Sequence, residues 1–200
     1  MEYGITIAPG AAKVKRSLFG IIADHANELT PLSRDCMQGL YDEPVEIEAR
    51  LKQLDNKIRQ LCRQSEPCSR ILKIPGVGEL TATAMVAAVP DAREFKNGRH
   101  MSAWLGLVPR QSSSGDKQVF LGISKQGDRY LPTLLIHGAR AALIHYKNTD
   151  NDYGSWLVKK KSRLSFNKAA VALANKNARI IWSLLSTGKE FSSGNQIATS

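Results

Sequence analysis

The sequence predicts a mainly α-helical protein: an N-terminal helical, coiled-coil-like arm, then a compact helical domain with a helix-hairpin-helix element and at most a small β-hairpin. Three observations lead there. Met37, Leu40, Ile47, Leu51, Leu54, Ile58 and Leu61 fall mostly at alternating steps of three and four, the spacing of one helix face. Two later segments, about 130–146 and about 167–186, repeat apolar residues at helical period. Strand-like alternation is confined to the neighbourhood of 112–124. The expected division is a helical connector over 1–66, the main domain over 67–190 and a frayed tail over 191–200.

Taken in order, residues 11–27 suit an amphipathic helix around Leu18, Ile21, Ile22 and Ala26. Thr30-Pro31 offers an N-cap and a first-turn proline for the next helix. Within it, charged residues fill the positions between the apolar ones from 47 to 61, and Pro44 starts or bends that seam. The seam either pairs with a second copy through residues 45–62 or packs on its own domain. A further helix starts at Ser65-Glu66-Pro67 and leads into Ile74-Pro75-Gly76-Val77-Gly78 and an alanine-rich helix over 79–89. Trp104 sits on a short helix after the Asn97-Gly98 turn. Pro132 fits the helix over 130–146 only in its first turn. Ser165 and Gly188 read as start and stop of the last helix.

Composition narrows the partner. The chain has 200 residues, a net charge of +10 and a pI near 9.7. Such a surplus suits a polyanion, with nucleic acid leading, although a merely basic surface has the same composition. No apolar run approaches the roughly 20 residues of a membrane span, and the N-terminus has no signal-peptide pattern. Three cysteines (Cys36, Cys62, Cys68) suit a reducing cytoplasm better than a disulfide framework. His25, His100, His137 and His145 show no metal-ligand spacing with them, so no metal site is expected.

Two segments suggest phosphate chemistry. Around Pro75, glycines at 76 and 78 permit close backbone approach, and the next helix presents free amides and its positive dipole, with Lys73 beside them. The same residues also suit a plain tight turn between core helices. In Trp104-Leu105-Gly106-Leu107-Val108-Pro109-Arg110, a helix-like run halts at Pro109 and turns basic at Arg110. Ser112-Ser113-Ser114 and Gly115 follow, reading as a surface loop with a nucleophile beside a fixed charge. Lys117, Lys125 and Arg129 lie close by, and Lys159-Lys160-Lys161 and Lys168 supply cations downstream. The lysine run is either a solvated face or a phosphate contact.

Leu72-Lys73-Ile74-Pro75-Gly76-Val77-Gly78, the Trp104 to Arg110 run and Ser113-Ser114-Gly115 form an ordered series. It continues in Gly122-Ile123-Ser124-Lys125-Gln126-Gly127-Asp128-Arg129-Tyr130-Leu131 and in Asn167-Lys168-Ala169-Ala170-Val171-Ala172-Leu173-Ala174-Asn175-Lys176. This series, over about 70–185, closely resembles the C-terminal part of transposases of the insertion-sequence 110 family, the 116/110/902 type, and its 1111 subgroup. The resemblance implies a DNA recombinase with an N-terminal acidic ribonuclease-H-like domain, a coiled-coil connector and a C-terminal domain holding a nucleophilic serine. By motif that serine is Ser114, with Ser112 and Ser113 as neighbours in the same run. Nothing in the first 70 residues resembles the acidic domain, so a C-terminal part is expected.

On this reading Ser114 attacks a DNA phosphodiester, and Arg110 stabilises the charge that develops on phosphorus. Lys73, Gly76, Gly78, Lys117, Lys125, Arg129, Lys159, Lys160, Lys161 and Lys168 hold nucleic acid. The resemblance implies no cofactor bound by this chain, with Mg2+ belonging to the acidic domain. It also implies DNA as partner and an element-encoded guide RNA in some members, while the 45–62 seam suggests a homo-oligomer, and cysteine usage with no apolar span suggests a cytoplasmic, nucleoid-associated protein with no membrane contact. Two alternatives stand beside it: a DNA- or RNA-binding remnant that cuts nothing, and an inhibitor that forms mixed oligomers with full-length copies.

Overall fold

The computed structural model describes residues 4–114, 117–123, 129–147 and 150–194, with backbone alone at 11, 109–114 and 117–123. The chain divides into two compact units, Met1–Lys57 and Ile58–Ser200. The first holds α1 (Ala11–Ala23) and most of α2 (Pro31–Gln64). Helix α1 ends before Ala26 because Asp24 turns extended and its carboxylate accepts from the Ala26 amide at 2.9 Å. The Arg34 guanidinium donates to the carbonyls of Ile22 (2.7 Å) and Asn27 (3.0 Å), satisfying backbone acceptors beyond the end of α1's ladder. Leu18 and Leu29 are buried there, Phe19 meets Tyr41, and Lys15 pairs with Glu48.

Helix α2 starts as expected, the Thr30 hydroxyl accepting from the Ser33 amide. It then runs unbroken through Pro44 for 34 residues. The proline thus lies inside one helix and withholds its amide from the ladder. Leu40, Ile47, Leu51, Leu54 and Leu61 are all exposed, with Leu51 at 54% and Leu61 at 61%. Packing on their own domain does not cover them.

The second unit is built around α8 (Phe166–Thr187), whose buried residues Ala169, Ala170, Leu173, Ala174, Asn177, Ala178, Ile181 and Leu184 fall at helical spacing. It begins at Ser165 and ends at Gly188, whose φ of +70° is the left-handed stop that glycine favours. Against it pack α3 (Glu66–Ile71), α5 (Gly98–Trp104), α6 (Tyr130–His145), α7 (Asp152–Arg163) and the 3-10 turn Ala92–Glu94. Helix α4 (Glu79–Ala88) packs on α3 and α6. Ile71, Ile74, Met85, Met101, Leu107, Leu135, Leu173, Ile181 and Leu184 are fully buried. Each such aliphatic side chain contributes about 1.5–3 kcal/mol.

A two-stranded antiparallel sheet completes the unit, β1 (Pro109–Ser114) with β2 (Lys117–Ile123). The class is thus mainly α with one small hairpin, as the sequence predicts. The serines differ from expectation: Ser112, Ser113 and Ser114 lie within β1, in register with Val119, Gln118 and Lys117. Their backbone is paired in a ladder, so the polar run is strand rather than loop. Towards the C-terminus, Phe191 packs edge-on against Tyr153, and the Ser193 carbonyl accepts from the Tyr153 amide.

Candidate nucleic-acid interface

The serine hairpin grows from a helix stop. Helix α5 ends in a Schellman turn: Gly106 takes φ +67°, its amide donates to the Ala103 carbonyl (2.9 Å), and the Leu107 amide donates to the Ser102 carbonyl (3.0 Å). Leu105 and Leu107 are driven into the core on either side of that glycine. Helix α8 then grips the turn twice. The Asn175 side-chain amide donates to the Leu107 carbonyl at 3.2 Å, and the Ser102 hydroxyl donates to the Asn175 carbonyl at 3.3 Å. Pro109, two residues on, opens β1 opposite Ile123.

The ladder slips between Pro109 and Gln111, where Arg110 alone faces Leu121 and Gly122. Ser114 closes β1 in register with Lys117, the first residue of β2. Backbone geometry therefore sets Arg110 at the bulge, four residues before Ser114, with Lys117 across from it. Lys125 lies outside the described residues. Arg129 is exposed at the start of α6, its carbonyl accepting from Thr133.

At the Pro75 turn the two glycines have different uses. Gly76 has φ +86°, and a methyl group there would come 2.5 Å from the Gly138 carbonyl oxygen. A methyl group on Gly138 would come 1.8 Å from the Gly76 oxygen. Gly76 is thus spent on close packing with α6. Gly78 opens α4 and meets only open space. The Pro75 carbonyl is also turned inwards, accepting from the Asn177 side-chain amide at 3.0 Å. The Tyr153 hydroxyl lies 3.0 Å from Asn177 Oδ1 and 3.1 Å from the Pro75 oxygen, donating to one of them. Burial holds the Tyr153 phenol well above its ordinary pKa. Lys73 is engaged by Glu190, which also lies 3.9 Å from Arg70.

Charge divides sharply between the units. Residues 1–57 carry 7 Lys and Arg against 9 Asp and Glu; residues 58–200 carry 21 against 9. From 153 to 189 there are eight basic residues and no acidic one. This stretch is the bulk of α7 and all of α8. Lys159 and Lys168 are exposed on it. Lys161 donates to the Leu143 carbonyl near the C-terminus of α6 (3.1 Å), and Lys160 lies 5.5 Å over the Trp156 ring. His137 and His145 are both exposed on α6. The sequence reading missed Asn175, Asn177 and Tyr153, the groups that orient these segments; their only signal was a polar residue at an apolar helix position.

No helix among the described residues is long and apolar enough to cross a membrane. Nor does any group of three or more His, Cys, Asp or Glu gather there as metal ligands would.

Known proteins match this sequence. The sequence pattern of the transposase IS116/IS110/IS902 family matches residues 68–154. The transposase for insertion sequence element IS1111A of Coxiella burnetii is 44% identical over 96% of this chain and 53% of its own length. A probable family 20 transposase of Pseudomonas aeruginosa is 42% identical over 92% of this chain and 55% of its own. The pilin gene-inverting protein of Moraxella bovis is 29% identical over 45% of this chain and 31% of its own. The chain spans about half the length of the first two relatives, as a C-terminal part would. The Pro75 turn, the helix stop before the hairpin and α6 all lie inside the matched segment, and the chain belongs to the IS116/IS110/IS902 family of transposases.

Proposed function

We propose that this chain is the part of a mobile-element transposase that grips DNA and attacks a phosphodiester through Ser114. One observation carries the reading beyond family membership: Asn175 ties the root of the serine hairpin to the acid-free helix α8. A nucleophile strand and a phosphate-attracting surface thereby share one rigid support.

In the step envisaged, Ser114 Oγ bonds to phosphorus as the bond from phosphorus to the leaving nucleoside oxygen breaks. The hydroxyl proton passes to a base, the leaving oxygen gains a proton, and the phosphoserine ester keeps the bond energy for rejoining. Arg110 offers a bidentate cation to the non-bridging oxygens, and Lys117 a point charge beside them. Lys125, Arg129, Lys159, Lys160, Lys161 and Lys168 hold flanking backbone, and Gly78 is the part of the Pro75 turn left free for a phosphate. The proton acceptor falls to the acidic domain that the family resemblance implies. An element-encoded guide RNA suits the same basic surface.

The exposed seam of α2 supports a homo-oligomer, a second copy covering Leu40, Ile47, Leu51 and Leu54. Light scattering of the Leu51→Glu, Leu54→Glu double variant checks this; an unchanged mass removes it.

The function is tested by trapping. With the acidic domain supplied, a nicked suicide DNA should yield a covalent protein–DNA adduct on a denaturing gel. The adduct should vanish in Ser114→Ala and survive in Ser112→Ala and Ser113→Ala. Salt-sensitive binding with no adduct from the wild type would leave a binding module and reject the nucleophile.

A further inference from the structure

Four cations meet where α5, α7 and α8 converge, and two of them rest on an aromatic ring. Lys160 Nζ lies 5.5 Å from the Trp156 ring centre. Lys176 Nζ lies 4.4 Å from that centre and 5.3 Å from that of Tyr153. Such contacts order otherwise mobile ammonium groups. Arg179 follows Lys176 by three residues and shares its helix face. Arg99 is brought in by a glycine: a methyl group on Gly98 would come 3.0 Å from the Arg179 Cα, so the start of α5 lies against α8.

No carboxylate lies within ion-pairing distance of any of the four among the described residues. Arg179 Nε is buried without a hydrogen-bond partner. Burial first, then repulsion from Arg99, lowers the Arg179 pKa. Lys176 is lowered by burial and by Arg179 and Lys160, while Asp152 acts the other way. The four like charges thus stand in neighbouring pairs, Lys160 by Lys176, Lys176 by Arg179 and Arg179 by Arg99, and one carries a buried donor without a partner.

We infer that Arg99, Lys160, Lys176 and Arg179 form a phosphate clamp that holds the phosphodiester backbone of a nucleic acid beside the serine hairpin. The inference rests on the nucleic-acid reading above and adds Arg99, Lys176 and Arg179 to it. The clamp reads no sequence, because its donors are suited to phosphate oxygens alone. Its place on α8 is the turn that holds the Leu107 carbonyl: Lys176 directly follows Asn175. A backbone phosphate seated there fixes the strand relative to the hairpin root.

Fluorescence anisotropy with a short random-sequence DNA duplex and, separately, a single-stranded RNA tests the clamp between about 50 and 200 mM salt. Arg99→Gln and Arg179→Gln should each weaken binding roughly eightfold at 0.1 M salt and flatten the duplex salt slope by about 0.9. Lys13→Gln, exposed on α1 and outside the basic surface, should change neither. Loss on the duplex assigns the clamp to DNA, and loss on the single strand assigns it to RNA; both support it. Folded variants that keep wild-type affinity and slope on both probes overturn the clamp and leave nucleic-acid binding standing. A wild type that binds neither probe overturns the clamp and the binding reading together. Arg99 is exposed, so its variant decides the matter even if Arg179→Gln fails to fold.

Discussion

Asn175 on α8 donates its side-chain amide to the Leu107 carbonyl, two residues before the serine-bearing strand begins. This bond and the Ser102 contact fix where the hairpin leaves the helical core. Asn175→Ala should cost about 1 kcal/mol of stability, the worth of one ordinary hydrogen bond. Its larger effect should be on adduct formation, lowered by up to about 100-fold through misplacement of the serine strand. DNA affinity should stay within about twofold. Comparing adduct yield with binding separates a positioning role from a merely structural one.

The glycine pair at the Pro75 turn gives a sharper stability contrast. Gly138→Ala drives a methyl group into a backbone carbonyl that cannot swing away. Urea unfolding should show a loss of at least about 3 kcal/mol, beyond the usual range for overpacking. Gly78→Ala meets open space at a helix start and should cost no more than about 1 kcal/mol.

Inside that turn, Tyr153 and Asn177 act as a unit. Tyr153→Phe leaves the Pro75 carbonyl its Asn177 donor and should cost about 1 kcal/mol. Asn177→Ala opens a cavity and leaves only the Tyr153 hydroxyl for that carbonyl, so about 2–3 kcal/mol is expected. A double variant should lose less than the sum of the two, measured by thermal unfolding.

Cys62 supplies a pH test. Burial, with a further contribution from Cys68, raises its pKa from 9.0 to about 11. The unfolded chain releases this proton near pH 9 while the folded chain holds it. Stability is therefore complete below pH 9 and falls towards pH 11, by about 1.4 kcal/mol per pH unit inside that window. At pH 8 a thiol reagent should label exposed Cys36 at once and leave buried Cys62 and Cys68 protected.

Much of this was legible in the sequence because caps and periodicity are local. Thr30 and Ser65 cap helices through their hydroxyls and Gly188 through its left-handed φ, while Ser165 stands at a helix start without a side-chain cap bond. A hairpin near 112–124 was legible, but Ser112–Ser114 read as its loop, since a polar run has no apolar face and only pairing with 117–119 makes it a strand. Gly76 looked free for a phosphate because its partner, Gly138, lies 62 residues further along the chain. The cation cluster was hidden for the same reason: Arg99 and Arg179 become neighbours only through the packing of Gly98 on α8.

The acid-free span from 153 to 189 has a thermodynamic consequence of its own. A pair of helices that beyond Asp152 carries only positive charge is in self-conflict when alone, and dilute buffer leaves that conflict unscreened. Whatever polyanion settles on it acts as a ligand of the native state and raises the melting temperature in proportion to the logarithm of its concentration. The free protein is thus the least comfortable form of this fold, and on the proposed reading nucleic acid is its counterion.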